Sequence, residues 1–234
     1  KDMSASQASA FLDHWTIIDQ YTAPNSAWYQ LGTGFSATLF QSKDTGQYTF
    51  AIRGTEPGYP DLFGADFGDL VVDGLPLDQM IEMYNYWQRL THTESYPVAT
   101  LEVSVAETAA LKVLFGPAYT AAVALLQADG AIIDTTPVGT IVRRVVIDNS
   151  ATLYAGTDLA VGLGKLSGTP GILNVAGHSL GGNLAAAFTR LFPSVNANAI
   201  TINGAGFPTG NIPGGSGNAA GNIQNLFAKL GGAA

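Results

Sequence analysis

One serine of this chain stands in the setting a nucleophile requires. Gly177-His178-Ser179-Leu180-Gly181-Gly182 lies between an apolar, strand-like run, Ile172-Leu173-Asn174-Val175-Ala176, and a helical run over residues 183–191. A serine hydroxyl attacks a carbonyl carbon when it projects from a tight strand-to-helix turn. Flanking glycines leave room for that turn because they carry no side chain to clash. The pattern is that of a nucleophile elbow. The helix that starts at Leu180 aims its first backbone N–H groups at any oxyanion formed beside the serine. The chemistry served is acyl transfer through a covalent acyl-enzyme.

Such a serine needs a base to take its proton, ordinarily a histidine oriented by a carboxylate. The 55 residues after Ser179, 180–234, contain no Asp, Glu or His. The three histidines, His14, His92 and His178, all precede or adjoin the turn. His178 should project away from Ser179 Oγ on so sharp a turn, which suits packing or a structural hydrogen bond better than catalysis. His14 shares an N-terminal helix with Asp13, ahead of any strand, and is given no catalytic role. His92, in Thr91-His92-Thr93 at a helix end, reads as solvent-exposed. A rival reading recruits it as base, with Asp69 or Glu94 as its acid.

The elements that must hold this serine follow from periodicity. Ser4-Ala5-Ser6-Gln7 is a capping box, and the helix it opens is expected to run to about Tyr21, with Ala8, Phe11, Trp15 and Ile18 facing the core. Residues 33–41 and 47–53 read as two strands joined by Ser42-Lys43-Asp44-Thr45-Gly46, a polar turn with its glycine late. Residues 78–90 form an amphipathic helix whose apolar side carries Met80, Ile81, Met83, Tyr84 and Trp87. A third helical stretch, 103–129, is interrupted near Gly116-Pro117. Residues 138–147 are β-branched and strand-like, extended through 151–154 as a short hairpin. Residues 198–203 are a further strand, and a last helix over 219–230 stops at Gly231-Gly232. Alternating strands and helices around the elbow imply one α/β domain, 1–234, built on a mostly parallel sheet with helices on both faces. The glycine- and asparagine-rich loop 210–221 has irregular spacing and no aspartate, so it is not a calcium-binding nonapeptide repeat.

Composition narrows the partners. The chain has 234 residues, 47% of them apolar and 12% charged, enough to bury a sizeable core. A net charge of −8 argues against nucleic acid or an anionic membrane as an electrostatic partner. No hydrophobic run approaches the roughly 18 residues of a membrane-spanning helix. The absence of cysteine excludes disulfides, thiol catalysis and thiolate-held metal. An acidic, cysteine-free chain rich in Gly, Ala, Asn and Thr fits a bacterial extracellular enzyme, and the start Lys1-Asp2-Met3-Ser4 lacks the basic and apolar regions of a signal peptide.

Four segments in order then carry a resemblance: Ala51-Ile52-Arg53-Gly54-Thr55-Glu56, Phe67-Gly68-Asp69-Leu70, the Gly177–Gly182 elbow, and Thr201-Ile202-Asn203-Gly204-Ala205-Gly206-Phe207-Pro208. The chain resembles the class 3 lipase-like branch of the α/β-hydrolases and the secreted bacterial lipases related to it. The resemblance implies an α/β-hydrolase-like fold and a serine lipase or esterase acting on lipid esters at a lipid–water interface. Phospholipase and short-chain esterase are the alternatives within that class. Position by position, it makes Ser179 the nucleophile, with Thr55 and Leu180 giving backbone N–H groups to the oxyanion hole. Gly177, His178, Gly181 and Gly182 complete the elbow. Asp69 matches the family's aspartate-leucine pair and reads as structural support near the site.

The resemblance also marks a departure. Such lipases place the triad aspartate some tens of residues after the serine and the histidine further on, where this chain ends. The expectation is an N-terminal piece of a longer hydrolase, incomplete at its C-terminus and nearly inactive until a C-terminal fragment of the same protein supplies acid and histidine. The reading from another class is a binding module, or incompetent fragment, that keeps the elbow without turnover. No cofactor is expected. A structural calcium among Asp61, Asp66, Asp69, Asp73 and Asp78 is one reading, with a solvated acidic face favoured over it. Residues 59–77, with Phe63, Phe67, Leu70 and Val71, and residues 116–164 are the two lid candidates. An unpaired sheet edge after Asn203 predicts a co-purifying C-terminal fragment or self-association.

Overall fold

The computed structural model describes residues 3–23, 34–54, 76–106, 132–135, 140–148, 162–168, 173–207, 210 and 219–232. In chain order the elements are α1 (Ala5–His14), β1 (Trp15–Thr22), β2 (Ser36–Ser42), β3 (Tyr48–Ile52), α2 (Leu77–Thr91), β4 (Val98–Ala106), β5 (Ile132–Thr135), β6 (Thr140–Asp148), β7 (Leu173–His178), α3 (Leu180–Leu191), β8 (Asn198–Ile202) and α4 (Ala219–Lys229). The strands form a five-stranded sheet in the order β1-β2-β3-β7-β8 and a separate three-stranded antiparallel sheet, β4-β6-β5.

The fold is α/β, with a mixed large sheet rather than a mostly parallel one. β1, β2 and β3 are antiparallel neighbours, the polar Ser42–Gly46 turn folding β3 back on β2, while β3-β7 and β7-β8 are parallel. The parallel part carries the elbow. Ser42 and Gly46 close the β2-β3 turn at the end of the sheet opposite that elbow.

Helices lie on both faces. Phe50, fully buried on β3, meets Tyr86 and Trp87 of α2 and Phe188 of α3 at ring-centroid distances of 5.7, 5.9 and 5.6 Å. Trp87 and Phe188 close edge-to-face at 4.8 Å, so one aromatic cluster joins both helices to the sheet. On the other face Phe40 takes Phe11 of α1 edge-on at 5.3 Å. Asn85 fastens the second sheet to α2. Its Nδ2 donates to the Ala99 carbonyl (2.8 Å), and its Oδ1 accepts from the Ala99 N–H (2.9 Å).

The capping box forms as expected, but its helix stops at His14, where Trp15 begins a strand. The Phe11-Trp15-Ile18 spacing suits a helix, yet Trp15-Thr16-Ile17-Ile18 is also aromatic and β-branched. Pairing along β2 outweighs the local helical pattern. No α1 residue is buried, so Ala8 and Phe11 are not core, although Phe11 stacks on Trp15 at 5.9 Å; Ile18, in β1, packs half-buried against the core. A bulge at Ile18 then turns Asp19 and Tyr21 toward α2. There the Tyr86 hydroxyl donates to Asp19 and the Tyr21 hydroxyl to Glu82, both at 2.8 Å. Burial raises the Glu82 carboxyl above the usual carboxylate range, against the lowering effect of the Tyr21 hydrogen bond.

Residues 103–106 are strand, not helix. Leu101-Glu102-Val103-Ser104-Val105 alternates with period two, and all nine residues of β4 pair with β6. The remainder of the expected third helix lies outside the described residues, as do the 151–154 hairpin and most of the 210–221 loop. The 138–147, 198–203 and 219–230 expectations match β6, β8 and α4 within two residues. β5 went unread, being only four residues long.

Parts of both lid candidates are described. Leu77, 1% exposed, starts α2 and belongs to the core, and the rest of 59–75 lies outside the described residues. Within 116–164, β5 and β6 build the second sheet, and residues 162–166 strap the end of α2. The N–H groups of Leu163, Gly164 and Leu166 donate to the carbonyls of Arg89, His92 and Leu90, satisfying acceptors a helix end leaves open. No described helix is long and apolar enough to cross a membrane.

Candidate functional site

β7 runs into α3 through a single residue, Ser179, at φ 54° and ψ −122°. No ordinary element places an L-residue there, and such a conformation costs of order 1–3 kcal/mol. It persists because the surroundings leave no alternative. The Ser179 N–H donates to the Ile202 carbonyl on β8 (3.0 Å), and the Ser179 carbonyl accepts from the N–H groups of Gly182 (2.9 Å) and Asn183 (3.3 Å). The serine is exposed at the end of the sheet, while Leu180 behind it is buried. The N–H groups of Leu180 and Gly181 head α3 with no acceptor within the helix.

Each glycine of the elbow is required by contact. A Cβ on Gly177 would overlap the Gly181 carbonyl, and one on Gly181 would lie 2.5 Å from the Ile52 carbonyl oxygen. One on Gly182 would stand 2.8 Å from Gly204 Cα. The first turn of α3 thus rests directly on the backbone of β3, β7 and the loop after β8. Gly54 belongs to the same packing, since its Cβ would be 2.5 Å from the His178 carbonyl oxygen and 3.6 Å from Ser179 Cβ. The Arg53-Gly54 segment therefore lies against the serine, and Thr55, the proposed second oxyanion donor, falls outside the described residues.

Two features of this packing went unread in the sequence. Gly204 is the small partner that lets Gly182 approach, and Asn183, fully buried, donates from Nδ2 to the Ala205 carbonyl (3.1 Å). The signal for the first was a glycine in each of two segments already singled out. A buried asparagine in a helix's first turn was the signal for the second. Asn183 Oδ1 has no hydrogen-bond partner among the described residues.

None of the three histidines is hydrogen-bonded to Ser179 among the described contacts. His14 pairs with Asp44 at 2.8 Å on the surface. That pair sits at the β2-β3 turn, the far end of β3 from the elbow, about 16 Å away at ~3.3 Å per strand residue. His92 ends α2 half-buried, its Nδ1 donating to the Gln88 carbonyl (2.9 Å) and its ring 5.8 Å from that of Tyr96. His178 is exposed and paired in register with Ile202. Of the acidic cluster, Asp61, Asp66, Asp69 and Asp73 lie outside the described residues. No group of three potential metal ligands occurs among the described ones.

Backbone strain at one exposed serine makes a separable prediction. Ser179→Gly should relieve the positive φ and raise stability by about 1 kcal/mol, a rise in Tm of roughly 2–4 °C for a chain of this size. An unchanged or lower melting temperature would show that the turn stores no strain. Comparison with family models, with curated proteins and with solved structures finds no match to this chain.

Proposed function

We propose that the chain carries the nucleophile of a serine hydrolase that cleaves carboxylic esters. The observation that carries the reading is Ser179 itself: a lone exposed serine, held at φ 54° between strand and helix by glycines that admit no Cβ. In the proposed reaction Ser179 Oγ adds to the ester carbonyl. The oxyanion is held by the Leu180 N–H at the head of α3 and by the Thr55 N–H that follows Gly54. The alcohol leaves, and water releases the acyl group. A lipid ester is the substrate favoured by the resemblance to class 3 lipases, and secretion into an extracellular setting belongs to the same reading. Phospholipid and short-chain esters are the alternatives.

A second reading has its own support. With His14 at the far end of the sheet and His92 bound to Gln88, a base for Ser179 is missing among the described side chains. A module that keeps the elbow for binding would look the same. Prolonged exposure to a fluorophosphonate, read by denaturing intact mass, separates the two. The hydrolase reading expects one adduct per chain, mapped to Ser179 and lost in Ser179→Ala. Absence of adduct, or labelling shared equally with other serines, favours the binding module.

A further inference from the structure

Among the described residues β8 is the outer strand of the large sheet, next to the elbow, and all five of its residues are exposed. Strands in parallel pairing are ordinarily buried on both faces, and exposed edges are ordinarily guarded by lysine, proline or a bulge. β8 reads Asn198-Ala199-Ile200-Thr201-Ile202 and has none of these guards. Ile200 and Ile202 are 47% and 61% exposed. The 38 residues 191–228 around it include no charged side chain, in a chain of net charge −8. Like charge opposes contact between copies elsewhere and not here.

The directions of the backbone groups then select a partner. The Ile202 carbonyl accepts from Ser179, so Ile202, and by alternation Ile200, turn their peptide groups inward to β7. Ala199 and Thr201 turn theirs outward, and so does the Asn203 N–H, which lies trans to the Ile202 carbonyl, before a φ of 51° takes Asn203 out of the strand. An antiparallel copy placed about a two-fold axis through Thr201 makes Thr201 and its symmetry mate a hydrogen-bonded pair, and brings the Asn203 N–H of each copy to the Ala199 carbonyl of the other. The same register sets Ile200 opposite Ile202 of the second copy, twice. Those are non-hydrogen-bonded pairs, where side chains approach most closely, and all four isoleucines lie on one face. Hydrogen bonding and apolar matching are satisfied together by the strand's own sequence read backwards.

We infer that β8 is a self-association edge, through which two copies of this chain join by antiparallel β8–β8 pairing centred on Thr201 into one continuous ten-stranded sheet. The inference stands on the strand and not on the hydrolase reading.

The absence of native cysteine allows a direct test of the register. Facing Cα atoms of a hydrogen-bonded antiparallel pair lie about 5.5 Å apart, within disulfide range, whereas Ala199 and its own mate are offset by four residues. Thr201→Cys should give a covalent dimer of twice 24.3 kDa on mild oxidation, and Ala199→Cys should not. In sedimentation velocity across the micromolar range the unaltered chain should be dimeric. Ile200→Lys and Ile202→Lys, at exposed positions, should weaken the dimer at least tenfold with unchanged circular dichroism. A monomer at every concentration overturns the inference, as does a dimer indifferent to both lysines. Cross-linking through Ile200→Cys in place of Thr201→Cys overturns the register. A different polypeptide found in fixed ratio with the chain and displaced by the lysine variants overturns the choice of a second copy.

Discussion

Gly177→Ala is expected to cost about 3 kcal/mol or more, lowering Tm by roughly 6–12 °C. The added methyl would overlap the Gly181 carbonyl, which is fixed on one side by α3 and on the other by the contact of Gly181 with the Ile52 carbonyl. Backbone on both sides cannot yield as a flexible side chain would. Gly181→Ala tests the balance of effects more sharply. Replacing a helical glycine by alanine normally gains about 0.5–1 kcal/mol, and here a 2.5 Å approach to a carbonyl oxygen must exceed that gain. Gly221, within α4 with nothing near its absent Cβ, is the matched control, and Gly221→Ala should stabilise by that amount. Thermal melts of the three variants decide it. If Gly181→Ala behaves like Gly221→Ala, the close packing of α3 on β3 is not what holds the elbow.

How far the sequence reaches is visible in these same residues. The elbow was legible because its requirements are local. A strand, a residue forced to positive φ, glycines and a helix all fall within some twenty consecutive positions, and each has a distinct residue signature. β3, α2, β6, β8 and α4 were legible for the same reason, their patterns running unbroken between turn residues. Errors arose where one segment satisfied two periodicities. Trp15 to Ile18 continues the apolar spacing of α1 and also suits a strand, and only the facing β2 chooses between them. Val103 to Ala106 fell to β4 because a nine-residue partner, β6, lies beside it. Parallel or antiparallel direction was equally out of local reach, since it depends on which strands become neighbours.

For the site, the sequence identified which residues stand at the elbow but not what holds them. That Gly54 touches the serine, that Gly204 faces Gly182 and that Asn183 reaches Ala205 are contacts between segments more than twenty residues apart. The lack of a histidine hydrogen-bonded to Ser179 among the described contacts was legible in part. A count of histidines shows none after Ser179, and the fold adds that His14 and His92 are committed to Asp44 and Gln88.

On the proposed hydrolase reading, that shortage sets the kinetic signature to expect. A serine hydrolase of the proposed kind, with no base beyond the described side chains, should still acylate, because oxyanion stabilisation and binding alone retain roughly 10³–10⁴-fold acceleration over water when a triad member is lost. With an activated ester such as a 4-nitrophenyl ester the leaving group needs no proton, so acylation suffers least. Deacylation requires a proton to be taken from water, and there the absent base is felt most. The expected trace is a burst of about one product per chain, followed by turnover far below the ~10 s⁻¹ typical of enzymes. Ser179→Ala should remove the burst. Added imidazole, a small base able to enter beside an exposed serine, should accelerate the slow phase of the parent chain and leave Ser179→Ala at the rate of imidazole alone. A burst that survives Ser179→Ala would remove Ser179 from the chemistry. Turnover at enzyme-like rates without imidazole would place a working base within the chain, and His92, the only half-buried histidine, would be the first residue to replace.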